Sequence, residues 1–296
     1  MWRLAIFTAI TSTVAALFLL VYFIHLQVNA FVTPNRVPVI GSPAEVGLVA
    51  YRDVTLTTSD GLELAGWYIP GRQPNAIILV HGIDANRAAL LPHAAILAGA
   101  GYPLLLFDLR GHGQSEGSEI TYGYREVLDV QAAADYLLAL PEIKQVGALG
   151  TSLGGAAVVR AAAVDPRLRA IVVESSFSSL TEAVEEAFED RSIFPKWPFA
   201  PLLVALAEQR LGMKVSDVDS ARDVAAVSPR PVLIIHGTAD SLFPPNHALK
   251  MYAAAKDPKT LWLIEGLGHS SPITDHEAEY RERVVTFFEE AFAAKD

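Results

Sequence analysis

Residues 150–155 read GTSLGG, a serine between glycines, directly after the apolar run QVGAL and directly before the helix-like run LGGAAVVRAAAV. Two roles fit this pattern. One is a glycine-softened turn with an ordinary hydroxyl; the other is a sharp strand-to-helix bend that mounts a nucleophile. The spacing G-x-S-x-G alone is weak, because three fixed residues of ordinary abundance meet by chance about once in ten chains of this length. Its context adds more: glycines at 150 and 154 let a strand and a helix approach without Cβ clashes, and the following helix N-terminus favours negative charge near Ser152.

A serine hydroxyl needs a base near neutrality, and the base needs a group that sets its tautomer. Two later loops offer both. HGTAD follows the run PVLII and puts Asp240 just beyond it, and GLGHS follows LWLIE and puts His269 just beyond that. Ser, Asp, His is the chain order expected with such a bend. Competing readings stay open at each position: Ser152 as a structural turn residue, Asp240 as a cap before Pro244 and Pro245 with Asp217 or Asp219 as the alternative acid, and His269 as an exposed loop histidine. His81 and His236, each ending an apolar run, read as hydrogen-bonded structural groups. In DLRGHGQS the glycines suit a tight loop in which Asp108 and Arg110 pair, so Asp108, Arg110 and His112 read as structural. The histidines are dispersed with no H-x-x-x-H spacing and there is no P-loop, so neither a metal nor a cofactor is expected.

These residues need a scaffold that brings distant loops together. From Ala76 onward short apolar runs alternate with helical stretches: AIILV, then 87–100; YPLLLFD, then 124–140; QVGAL, then 153–164; AIVVE; and, after an interruption, PVLIIHG, then 247–255, TLWLIEG, then 276–293. Runs apolar on both faces suit parallel strands covered by helices on each side. The expectation is an α/β fold, a doubly wound and mostly parallel sheet. In front of it, YRDVTLTTSDGLELAGWYIP has two alternating runs around Ser59-Asp60-Gly61, a hairpin signal. The interruption, about 178–228, is helical and proline-punctuated and reads as an inserted cap in which the aromatics of FPKWPFAP could line a pocket.

From Leu4 to Val28 there is no Asp, Glu, Lys or Arg. Such a helix is long enough to cross a hydrocarbon layer about 30 Å thick. Residues 1–30 therefore read as a transmembrane anchor, with a secretory signal cleaved after Ala30 as the alternative. Arg3 before the span and Arg36 as the next strong base bias the main domain toward the extracytoplasmic side. Residues 31–50 carry prolines and glycines without periodicity and read as a linker, with the folded domain over 51–296. A net charge of −10 argues against nucleic acid as a partner, since phosphate binding needs clustered Lys and Arg. The absence of cysteine excludes disulfides and thiolate metal sites.

From about Tyr51 to Ala293 the chain resembles the α/β-hydrolase superfamily, in particular its membrane-anchored serine hydrolases with a short helical cap. The resemblance is carried by HGID at 81–84, DLRGHGQS at 108–115, GTSLGG, HGTAD and GLGH. It implies the α/β-hydrolase fold, with Ser152 as nucleophile, His269 as general base and then acid, and Asp240 as the orienting carboxylate. The backbone N–H groups of Leu153 and Ile83 would bind the oxyanion, each such donor typically contributing roughly 3 to 4 kcal/mol. HGID departs from the glycine run of many lipases, which bears on Ile83. Relatives that act as dehalogenases or epoxide hydrolases carry aspartate at the nucleophile position, so serine points away from those reactions. The expected activity is cleavage of carboxylic esters or thioesters through an acyl-enzyme, on lipid-like or acylated substrates, with kcat/KM rising with pH as the imidazole base loses its proton. A serine peptidase of the same fold and a noncatalytic membrane-anchored binding protein are the alternatives.

Overall fold

The computed structural model describes residues 2–191, 196–269 and 272–294. Helix α1 (Trp2–Val32) comes first, followed by β1 (Arg52–Thr57), β2 (Glu63–Ile69), β3 (Asn75–Val80), α2 (Leu91–Gly99) and β4 (Leu104–Phe107). Then come α3 (Glu126–Leu138), β5 (Gln145–Thr151), α4 (Leu153–Val164) and β6 (Leu168–Glu174). After α5 (Leu180–Arg191), α6 (Lys196–Leu211) and α7 (Ser220–Val224), the alternation resumes with β7 (Val232–Gly237), α8 (Asn246–Ala254), β8 (Lys259–Ile264) and α9 (Ile273–Ala293). The strands form one sheet in the order β1-β2-β4-β3-β5-β6-β7-β8. β1 and β2 pair antiparallel, as do β2 and β4, and all later pairs are parallel.

The period-2 geometry of a strand explains why the central runs are apolar throughout. Ile78 and Val80 face a core built with Val130 and Leu137 of α3, Val158 of α4 and Met251 of α8. Their neighbours Ile77 and Leu79 face the opposite core, against Leu97 of α2 and Tyr280, Val284 and Phe288 of α9. A strand buried on both faces has no place for a polar residue, so alternation disappears from its sequence. The hairpin forms where Ser59-Asp60-Gly61 predicted it: Gly61 takes φ +90° and Thr58 N donates to Leu62 O at 2.9 Å.

Helices α5, α6 and α7 occupy the interval expected as a cap, between β6 and β7. Of the aromatics in FPKWPFAP, Phe199 lines a cavity and Trp197 is exposed, while Phe194 lies outside the described residues. The stretch expected as a linker is tied to the domain. Asn35 N donates to Asp84 Oδ1 at 2.6 Å, and the Arg36 guanidinium donates to the carbonyls of Gly113, Ser115 and Gly117 at 3.1, 2.6 and 2.7 Å. An arginine fork can satisfy several loop carbonyls at once, which composition alone does not disclose.

Candidate active site

The parallel strands end on one edge, and the segments that follow β5, β7 and β8 carry Ser152, Asp240 and His269. At the end of β5 the chain turns into α4 through Ser152, whose φ of 54° and ψ of −117° lie outside the regions open to most L-residues. The turn survives because its neighbours determine it. Ser152 N donates to Glu174 O at 2.8 Å, while Ser152 O accepts from Gly155 N at 3.0 Å and from Ser176 Oγ at 2.8 Å. A Cβ at Gly150 would lie 2.2 Å from Gly154 O, and one at Gly154 would lie 2.2 Å from Val80 O. Both glycines are therefore required by close backbone approach. The glycine-softened turn and the strained bend are thus distinguished in favour of the bend.

Asp240 follows β7 and is buried. Its Oδ1 accepts from Leu242 N and Phe243 N, both at 2.9 Å, and its Oδ2 lies 2.8 Å from His269 Nδ1. Burial alone would raise this carboxyl, but the hydrogen bonds from His269 and the Phe243 N–H outweigh it and hold Asp240 below the ordinary carboxylate range. An ionised carboxylate only accepts, so Nδ1 of His269 carries the proton and Nε2 presents a lone pair. That Nε2 lies 3.2 Å from Ser152 Oγ, within proton-transfer reach. Three side chains separated by up to 117 residues thus meet at one sheet edge.

The two backbone donors differ in support. Leu153 N–H is the first of α4, one of the groups for which a helix has no internal acceptor. Ile83 follows Gly82, where a Cβ would stand 3.1 Å from Ser152 Cβ, so the loop after β3 passes beside the serine. Asp217 and Asp219 are elsewhere: Asp217 accepts from Lys214 N at 3.0 Å, and Asp219 caps α7 by accepting from Arg222 N at 2.8 Å.

His81 and His236 are structural, as their positions suggested. His81 Nε2 accepts from Leu109 N at 3.0 Å, and its neutral form is favoured by burial and then by His112 and Arg87, which lower its pKa to about 3. His236 Nε2 donates to Phe243 O at 2.8 Å, and burial lowers its pKa too. The expected Asp108–Arg110 pair does not form. Asp108 accepts from the Arg87 N–H, the Arg87 guanidinium and Gln114 N, which fills its oxygens. Arg110 instead forks onto Asp129 of α3 and onto Asp60 of the hairpin turn, pulling Asp60 down to about 2. Each charge found its partner on another element, and Arg110 ties the hairpin and α3 to the loop after β4. His112 is buried with Nδ1 against Arg110 O at 2.9 Å.

Sequence reading did not single out Phe243 or Tyr122. The Phe243 ring stands edge-on to His269 at 5.4 Å and to Phe177 at 5.3 Å. Its place three residues after Asp240 in the same loop is the one available hint. Tyr122 has none: it takes φ 54° and donates from its hydroxyl to Phe31 O at 2.6 Å, a contact set by α1.

Comparison with known proteins identifies the fold and the family. An uncharacterized protein of Salmonella typhi, YfhR, is 32% identical, with 97% of each chain covered. The alpha/beta hydrolase domain-containing protein WAV2 of Arabidopsis thaliana is 29% identical over 75% of this chain and 72% of its own. Among solved structures, the Pyrococcus furiosus esterase Pf2001 superposes with a TM-score of 0.74 at 26% identity, covering 88% of this chain and 98% of its own. The sequence model of the alpha/beta hydrolase family matches residues 77–283, a span that runs from β3 through the serine turn and both partner loops into α9, and the chain belongs to that family.

Proposed function

We propose that this protein is a serine hydrolase that cleaves carboxylic esters or thioesters of lipid-like or acylated substrates through an acyl-enzyme. The observation that carries the reading is the linked pair of distances, Ser152 Oγ to His269 Nε2 at 3.2 Å and His269 Nδ1 to Asp240 Oδ2 at 2.8 Å. Ser152 Oγ attacks the substrate carbonyl as His269 Nε2 takes its proton, and Asp240 stabilises the imidazolium that results. The N–H groups of Leu153 and Ile83 receive the negative charge on the former carbonyl oxygen. Imidazolium then returns the proton to the departing alkoxide or thiolate. Water attacks the acyl-enzyme with the same imidazole as base, releasing the acid and restoring Ser152.

Within this reading α1 is a retained anchor rather than a cleaved signal, with the hydrolase domain on the extracytoplasmic side. In support, its apolar window has a mean hydropathy of 2.1, while Ile24, Val28 and Val32 pack into a core shared with the cap. Cleavage after Ala30 would strip Ile24 and Val28 from that core.

The test uses the full chain in detergent with p-nitrophenyl acetate and butyrate. Ser152→Ala is expected to reduce kcat by a factor on the order of 10⁶, with a fluorophosphonate adduct mapping to Ser152 in the unmodified protein only. Equal activity of the two proteins would remove Ser152 from the mechanism, and no turnover above background in either would leave a noncatalytic binding role.

A further inference from the structure

The two ends of α1 have different surroundings. From Trp2 to Tyr22 its described side chains are exposed, whereas the stripe Ile24, Val28, Val32 is buried against the cap. At 1.5 Å per residue the exposed length is about 31 Å, the depth of a hydrocarbon core, so the docked turns emerge at the level of lipid headgroups.

At that level α1, α5, α6 and Tyr122 surround an apolar cavity of about 500 Å³, within the range of small-ligand pockets. Phe23, Val28 and Phe31 of α1 form one wall, with Phe188 of α5 and Leu203 of α6 opposite. Among the described residues, Gln27 and Tyr122 are the lining residues with polar side chains, and the Tyr122 hydroxyl is engaged with Phe31 O. The described lining carries no charged side chain, and its walls suit a hydrocarbon chain.

Ser152 is not in this lining, but two chains of packing contacts run from its surroundings to the cavity walls. Tyr122 stacks on Phe31 with ring centroids 4.8 Å apart, and the next residue, Gly123, packs on Ala156, one turn into the helix that Ser152 begins. On the other side Phe243 bridges His269 to Phe177, which shares an apolar cluster with Val28 and Ala156.

We infer that the cavity receives the acyl chain of a membrane-resident lipid ester whose carbonyl lies at Ser152, so that the anchor helix is itself a wall of the substrate site. The inference rests on the serine-hydrolase reading and on retention of α1. A chain entering between α1 and the cap passes from bilayer to protein without crossing water, and each buried methylene raises affinity about fourfold.

The full-length protein in lipid nanodiscs would be labelled with a hexadecyl fluorophosphonate bearing a diazirine at the chain end, photolysed and mapped. Cross-links within 23–31 of α1, or within 184–188 or 199–204 of the cap, are expected. An adduct on Ser152 with cross-links confined to other segments would overturn the inference and leave the serine reading intact, while no adduct on Ser152 would overturn the reading itself. Ala30→Trp and Ala187→Trp narrow the cavity from opposite walls at exposed lining positions. Displacing two methylenes lowers kcat/KM for the hexadecanoyl ester about 15-fold relative to that for the acetyl ester. Equal losses on both esters, or no loss on the long one, would overturn it. Faster turnover of an S-acylated peptide than of a lipid ester of equal chain length would overturn the lipid assignment.

Discussion

The serine turn and the cavity between α1 and helices α5 and α6 are built on opposite principles. At the turn, backbone meets backbone: added Cβ atoms would sit 2.2 Å from carbonyl oxygens, and both the N–H and the C=O of Ser152 are hydrogen-bonded. At the cavity, aliphatic and aromatic side chains leave about 500 Å³ open, with Gln27 and Tyr122 as the polar side chains among the described lining residues. Directional contacts hold an atom to a fraction of an ångström, which proton transfer requires. Apolar contacts are non-directional, so they accept chains of differing length. In the function proposed above, stiffness would serve the chemistry and compliance the recognition.

This contrast can be broken by substitution. The largest effect is expected at Asp240→Asn, which leaves shape intact but offers His269 the wrong partner: kcat should fall about 10⁴-fold while thermal stability changes little. A loss under tenfold in ester hydrolysis would show that another acid orients the imidazole. Next is Gly154→Ala, whose methyl would press on Val80 O and separate α4 from β3. Denaturant titration is expected to show a loss of about 3 kcal/mol or more, because neither wall can give. Ala187→Trp, in the compliant region, should leave the midpoint unchanged; equal losses in the two would erase the distinction between the regions.

A smaller effect tests the stiff region by pH. His81 is held neutral in the native state, with its pKa at about 3 against 6.5 for the free side chain. The unfolded chain therefore binds this proton first as pH falls, so stability is full above pH 6.5 and declines toward pH 3 by up to about 1.4 kcal/mol per pH unit. Urea titrations between pH 7 and pH 5 should show a flatter decline in His81→Gln; parallel profiles would mean that His81 does not titrate in this way. The smallest effect is expected at Val28→Ala, which shortens one residue of the buried α1 stripe and should cost about 1 kcal/mol in detergent. An unchanged midpoint would mean that α1 docks too loosely to wall the cavity.

Much of this molecule is visible one residue at a time. Apolar runs of strand length, helices between them, Asp60-Gly61 at the hairpin and the order Ser152, Asp240, His269 are local patterns, and local patterns survive in a string of letters. The prediction failed where partners lie far apart. Asp108 and Arg110, two residues apart, each pair with a charge 19 to 50 residues away, because a buried charge goes to whichever counter-charge the packed elements bring within reach. The residues at 31–36 read as linker, since no composition signal marks Arg36 as the ligand of three carbonyls or Phe31 as the partner of Tyr122. What the amino-acid string determined by itself is the set of strands, the bend and the chemical groups on the loops, all dictated by side-chain burial and backbone sterics within a few residues. The tertiary structure alone decided that Ser152 and His269 stand 3.2 Å apart and that α1 closes a cavity with the cap, because distances between loops depend on strand order and helix packing summed over the whole sheet.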